Sequence, residues 1–172
     1  MEKDIYEKLD DLSREFYNSF IESVINVQFD YDFSKALMIR IPAKNQDFGD
    51  MKIYLDTDEI TVGLGEHFHT HFDRYSYQDE ISNNDVRRNI ILDTLEFINE
   101  VLNDKILQEV EMQGDKLISS SVTYLGKTQN GYTKMMTLPG LVRKLFKKDK
   151  IKMQYVWSGI YKNSMNNLGG NK

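Results

Sequence analysis

Two short runs, "DMKIYLD" and "EITVGLG", meet at Thr57-Asp58, and their side chains agree in one register. A two-residue link is the length of a tight β-hairpin loop. That register sets Leu55 opposite Ile60, Ile53 opposite Val62 and Met51 opposite Leu64. Side chains alternate between faces along a strand, so these six apolar groups share one face. Lys52, Tyr54, Thr61 and Gly63 take the other. A slip of one residue would turn the apolar set toward water, so the hairpin is strongly specified.

The same parity runs on into "GEHFHTHFD" (65–73), which holds every histidine of the chain. Phe68, Thr70 and Phe72 continue the apolar face, and His67, His69 and His71 line the polar face of one long strand. A bulge at Gly63 or Gly65 would invert that assignment.

Around this centre the chain alternates helical and extended patterns. Residues 2–24 read as an amphipathic helix, with Ile5, Leu9, Leu12, Phe16 and Phe20 forming one stripe. Extended segments follow at 26–32 and 35–43, then a loop over 44–50 after Pro42. "SNND" (82–85) places Ser82 and Asp85 at capping-box spacing. A second helix then runs to about Asn103, burying Val86, Ile90, Leu92 or Ile91, Leu95, Ile98 and Leu102. "KILQEVEMQ" and "KLISSSVTYL" flank Gly114-Asp115, a second hairpin signal. "YTKMMT" is a further extended candidate, and Pro139 opens a short basic helix in "LPGLVRKLFKK". "KIKMQYVWSGIY" closes the fold with Ile151, Met153, Tyr155 and Trp157 pointing inward. The order is helix, four strands, helix, two or three strands, short helix, strand. It predicts a single α+β domain over 1–161, mainly an antiparallel sheet packed by two long helices and one short helix. Residues 162–172 have the composition of a flexible C-terminal tail.

The chain has no cysteine, which excludes thiolate nucleophiles, disulfides and cysteine-based metal sites. A reduced, cytoplasmic setting is the expectation, and neither a signal peptide nor a membrane span is expected. Charge is uneven: residues 1–100 carry 22 acidic against 10 basic side chains (−12), and residues 101–172 carry 5 against 12 (+7). Such asymmetry points to charged partners, although the two halves can also neutralise each other on one surface.

The histidines admit a metal reading and a plainer one. Strand residues two apart stand about 6.6–6.8 Å apart and can converge on one ion, whereas residues four apart stand roughly 13 Å apart and cannot. A metal-dependent enzyme or metal-binding protein would therefore use His67 with His69, or His69 and His71 with Asp73. Further donors would come from neighbouring strands, such as Asp30, Asp32, Glu109 or Glu111. The plainer reading is a half-exposed strand face packed on Lys52 and Tyr54, with no metal and no cofactor. A third reading makes the rings part of a partner-binding face that responds to pH near 6–7.

Other motifs do not carry chemistry. "GLG" (63–65) continues a strand instead of opening a helix, and "LGKT" (125–128) lacks the upstream glycine of a phosphate loop, because position 120 is Ser120. "SSS" (119–121) lacks the glycines of a nucleophile elbow. "RKLFKKDKIK" (143–152) is a dense basic run, but a pI near 5.2 argues against nucleic acid as the partner.

The N-terminal amphipathic helix, the stretch "KIYLDTDEITVGLGEHFHTHFD", the following helix and the C-terminal strand together resemble the small α+β immunity-type proteins that bacteria encode beside polymorphic toxins. The resemblance spans most of the chain and rests on the order of elements. It implies a non-enzymatic inhibitor that binds one toxin domain and blocks its active site. The acidic N-terminal portion suits a basic toxin surface. Its candidate contacts are Asp30, Asp32, Asp56, Asp58, Glu59 and Glu66, with His67, His69 and His71 beside them and Tyr54, Tyr75 and Tyr77 as aromatic anchors. A homo-oligomer built on an exposed strand edge near 155–161 is a further class.

Overall fold

The computed structural model describes residues 6–24, 26–32, 37–77, 82–125, 136–137 and 150–161. The helix α1 (Asp11–Ser23) does not run unbroken from the start of the predicted stripe: Tyr6 is helical, residues 7–9 turn, and Ile5 lies outside the described residues. Asp10 caps α1: its carboxylate accepts from the Ser13 backbone N–H at 2.9 Å and from the Ser13 hydroxyl at 2.6 Å. An Asp with non-helical backbone satisfies an otherwise orphaned N–H there, which starts the helix at residue 11. Leu12, Phe16 and Phe20 are buried as the stripe requires, and Leu9 packs from the preceding turn. Fully burying a ring such as Phe16 or Phe20 contributes about 1.5–3 kcal/mol each.

Five strands follow, one more than the sequence suggests: β1 (Asp30–Asp32), β2 (Met38–Ile41), β3 (Met51–Asp56), β4 (Glu59–Leu64) and β5 (Phe68–Asp73). They pair antiparallel in chain order, β1-β2-β3-β4-β5. The β3–β4 register is the one read from the sequence, with Leu55 opposite Ile60, Ile53 opposite Val62 and Met51 opposite Leu64. The expected single long strand through 59–73 is instead a second hairpin, turning through Gly65, Glu66 and His67. Leu64 pairs with Phe68 across this three-residue loop, so the apolar parity survives the turn. Gly65 makes the turn at φ +57°, a region that suits glycine.

A 3-10 turn over Arg74–Ser76 leads toward α2 (Asn83–Leu102). Its Ser82–Asp85 cap forms reciprocally: Asp85 N–H donates to Ser82 Oγ, and the Ser82 hydroxyl donates to the Asp85 carboxylate. On its apolar face Ile91 is buried, and Leu92 is exposed. The second sheet holds β6 (Ile106–Gln113), β7 (Lys116–Tyr124), β8 (Met136–Thr137), β9 (Lys150–Val156) and β10 (Gly159–Ile160), in the order β10-β9-β6-β7-β8. The class is α+β and antiparallel, as expected, with the strands divided between two sheets. The short basic helix and the C-terminal tail fall outside the described residues. Tyr155 and Trp157 point inward as expected, and Met153 packs against the core. Ile151 does not: it is 59% exposed, opposite Met112 where the β6–β7 register shifts.

One core joins these layers. Both helices pack on the apolar face of the first sheet, and the core continues through Ile106, Val110, Val122, Tyr155 and Trp157 of the second. Trp157 meets Phe48 edge-on at 5.5 Å between ring centroids. The Gln108 side-chain amide donates to the Leu64 carbonyl at 3.2 Å, which satisfies a buried polar group while tying the sheets together. Among the described residues, no helix is long and apolar enough to cross a membrane.

Candidate functional site

The helices cover one face of the first sheet, and the register fixes what the other face presents. Residues directly opposite in antiparallel strands share a face, so three rows run across the sheet. The first is Asp30, Arg40, Lys52, Gly63 and His69; the second is Asp32, Met38, Tyr54, Thr61 and His71. The third, at the strand ends, is Asp56, Glu59 and Asp73. Tyr54 stands near the middle, 45% exposed.

At one side of this face, Arg40 grips Asp30: Nε donates to the two carboxylate oxygens at 2.9 and 3.1 Å, and a terminal guanidinium nitrogen also contacts the carboxylate. These hydrogen bonds hold the Asp30 carboxyl below its ordinary range. Asp50, in the loop before β3, lies 3.6 Å from the same guanidinium, so the Arg40 charge is largely answered by its neighbours.

At the other side, Glu59, Thr61 and His71 form a polar cluster across β4 and β5. The Thr61 hydroxyl donates to Glu59 Oε1 at 2.6 Å. His71 Nδ1 approaches both Glu59 Oε1 and, at 3.0 Å, Thr61 Oγ1. With the threonine proton committed to the glutamate, both oxygens act as acceptors toward Nδ1. Neutral His71 therefore carries its proton on Nδ1 and turns its basic lone pair to Nε2. The His69 ring stands 5.0 Å from His71, centroid to centroid, with its plane at 89°.

The sequence-derived contact set divides in space. Asp30, Asp32, Tyr54, Asp56, Glu59, His69, His71 and Asp73 share the open face. Asp58 sits exposed in the β3–β4 turn, whereas Glu66 and His67 occupy the β4–β5 turn at the opposite end of β4. His67 is thus not a member of the histidine strand face, because the chain reverses at that residue. Tyr75 is 96% exposed in the 3-10 turn. Tyr77 packs against the core and its hydroxyl donates to Asp93 of α2 at 2.7 Å, so it anchors the fold and is not a free aromatic contact. Asp73 accepts from the Ser76 N–H and hydroxyl, both at 3.0 Å, which engages the carboxylate of the proposed His69–His71–Asp73 ligand set. Among the described residues, no three histidine or acidic side chains gather as ligands of one ion.

Met38 and Arg40 were missing from the sequence-derived set. The alternation of Ile39 and Ile41 places them on the opposite face of their own strand, but nothing in the linking loops fixes β2 beside β3. Comparison with protein-family models, with curated proteins and with solved structures finds no match for this chain.

Proposed function

We propose that the chain is a non-enzymatic binding protein of the immunity type, which neutralises a bacterial toxin domain by docking it on the open face of the first sheet. The observation that carries this reading is the one-sided cover of that sheet among the described residues. Both helices lie on its apolar face, and the other presents an exposed tyrosine within a field of charge. Amphipathic aromatics surrounded by polar groups are what the centre of a protein interface uses. Five carboxylates (Asp30, Asp32, Asp56, Glu59, Asp73) share the face with two full cations (Arg40, Lys52). That balance favours a basic partner and speeds its encounter.

The test is growth rescue. The chain is co-expressed with the protein encoded beside its gene, and Tyr54→Ala and Asp32→Lys variants are run in parallel. Rescue by the parent chain, with Tyr54→Ala weakening the purified complex by about 2 kcal/mol or more, supports the reading. Rescue that survives both substitutions moves the interface off this face. No rescue and no complex removes toxin neutralisation.

A further inference from the structure

We propose that His69 and His71 form a two-imidazole chelate for a divalent transition-metal ion, zinc or copper, with Glu59 as the carboxylate that orients His71. Three features of the hairpin carry it. The two histidines lie two apart on one strand, the spacing at which side chains share a face. Their ring separation matches that of two imidazoles on one ion, which the rings reach by turning their nitrogens to a common point. A metal–nitrogen bond of about 2.05 Å places each ring centroid about 3.2 Å from the ion, and N–metal–N angles of 90–109° then separate the centroids by about 4.5–5.2 Å. The observed separation is 5.0 Å.

The third feature is the partner of Nδ1. Metal-bound imidazoles characteristically donate their second N–H to a carboxylate, which fixes the tautomer and raises ligand basicity. His71 has that partner already in Glu59, held in turn by the Thr61 hydroxyl, and its Nε2 lone pair is the ligand left over. His69 has room to complete the pair, because Gly63 directly opposite it has no side chain. Asp56 and Asp73, flanking Glu59, add negative charge that favours a cation. Nitrogen donors select zinc and copper over magnesium or calcium, and coordination positions beyond the two imidazoles go to water. The chelate uses neither His67 nor Asp73, which the turn and the Ser76 contacts take elsewhere.

The site lies on the face assigned above to docking but does not depend on that reading, because the isolated chain binds the ion with no partner present. The experiment is calorimetric titration of untagged protein with Zn2+ in a non-coordinating buffer. One ion per chain is expected. His69→Ala and His71→Ala should each weaken binding at least about 10-fold, and Glu59→Gln about 10- to 100-fold, the range typical of lost outer-shell partners. His67→Ala should leave it unchanged. Wild-type chain in NMR with substoichiometric Cu2+ needs no substitution at all: paramagnetic broadening should reach the His69 and His71 ring signals first and spare His67. The proposal is overturned by a dissociation constant weaker than about 1 mM for zinc, by an equal loss in His67→Ala, or by broadening centred away from His69 and His71.

Discussion

Gly49 and Gly65 lie where the 44–50 loop crosses the β4–β5 turn, and the seam they form has no space for a side chain. A Cβ on Gly65 would stand 2.4 Å from the Phe48 carbonyl oxygen, and one on Gly49 would stand 2.6 Å from the Gly65 Cα. These contacts are with backbone, so no rotamer change relieves them. Gly65 also has φ +57°, which costs an L-residue about 1–2 kcal/mol. Gly114 provides the control, because its φ is +60° and a Cβ there meets nothing within 4 Å. Gly114→Ala should therefore lose about 1–2 kcal/mol, the conformational cost alone. Gly65→Ala carries the same cost plus overpacking of about 1–3 kcal/mol, so about 2–5 kcal/mol is expected. Urea unfolding followed by circular dichroism reads both from the shift in midpoint at constant slope. Because Phe48 packs on Trp157, the Gly65 variant should also perturb the Trp157 fluorescence before global unfolding. Equal losses in the two variants would refute the close approach and, with it, the seam that locks the hairpin end to the second sheet.

Glu109 supplies a pH dependence. Burial raises its carboxyl pKa, but hydrogen bonds from Lys152 and Gln154 and the Lys152 charge outweigh that and hold it below its ordinary 4.5. A depressed pKa stabilises the fold above the unfolded value and loses that contribution as pH falls below 4.5 through the folded value. Glu109→Gln should thus be less stable than the parent at pH 7 by about 0.2–1 kcal/mol, the difference vanishing in acid; a gap constant with pH would contradict this. Tyr77→Phe removes the hydroxyl bound to Asp93 and should cost about 1 kcal/mol in the same unfolding assay. A loss below about 0.3 kcal/mol would show that the hydroxyl contributes little to holding Tyr77 in place.

The β3–β4 register was legible because a two-residue link and one-sided alternation each fix it, and they agree. The β4–β5 turn was hidden for a related reason. A three-residue loop keeps the chain in phase, so alternation runs from Leu64 to Phe72 as if no reversal intervened, and it alone makes His67 a strand residue. The start of α1 was written in Asp10 and Ser13, but the apolar stripe extended past it and masked the cap. The sheet neighbours of Arg40 had no such signal. The links on either side of β2 are too long to set a register, so the Asp30–Arg40 pair and the place of Met38 beside Tyr54 come from tertiary packing. Glu59 and His71 were each in view, yet their meeting needed β5 to fold back on β4. Ile151 followed the alternation of its strand but lies toward the end where the neighbouring ladder shifts, and alternation alone does not register a strand's position along its sheet.

The proposed docking surface is the open face of the first sheet, with Tyr54 near its middle. Hydroxyl-radical footprinting of the chain, alone and in complex with the toxin domain identified by growth rescue, tests it most directly. Docking on that face protects Met38, Tyr54 and His69 and leaves Ile151 and Ile160 of the second sheet as reactive in the complex as in the free chain. Unchanged reactivity at Tyr54, with protection gathered on Ile151 and Ile160, would contradict it and place the interface on the second sheet.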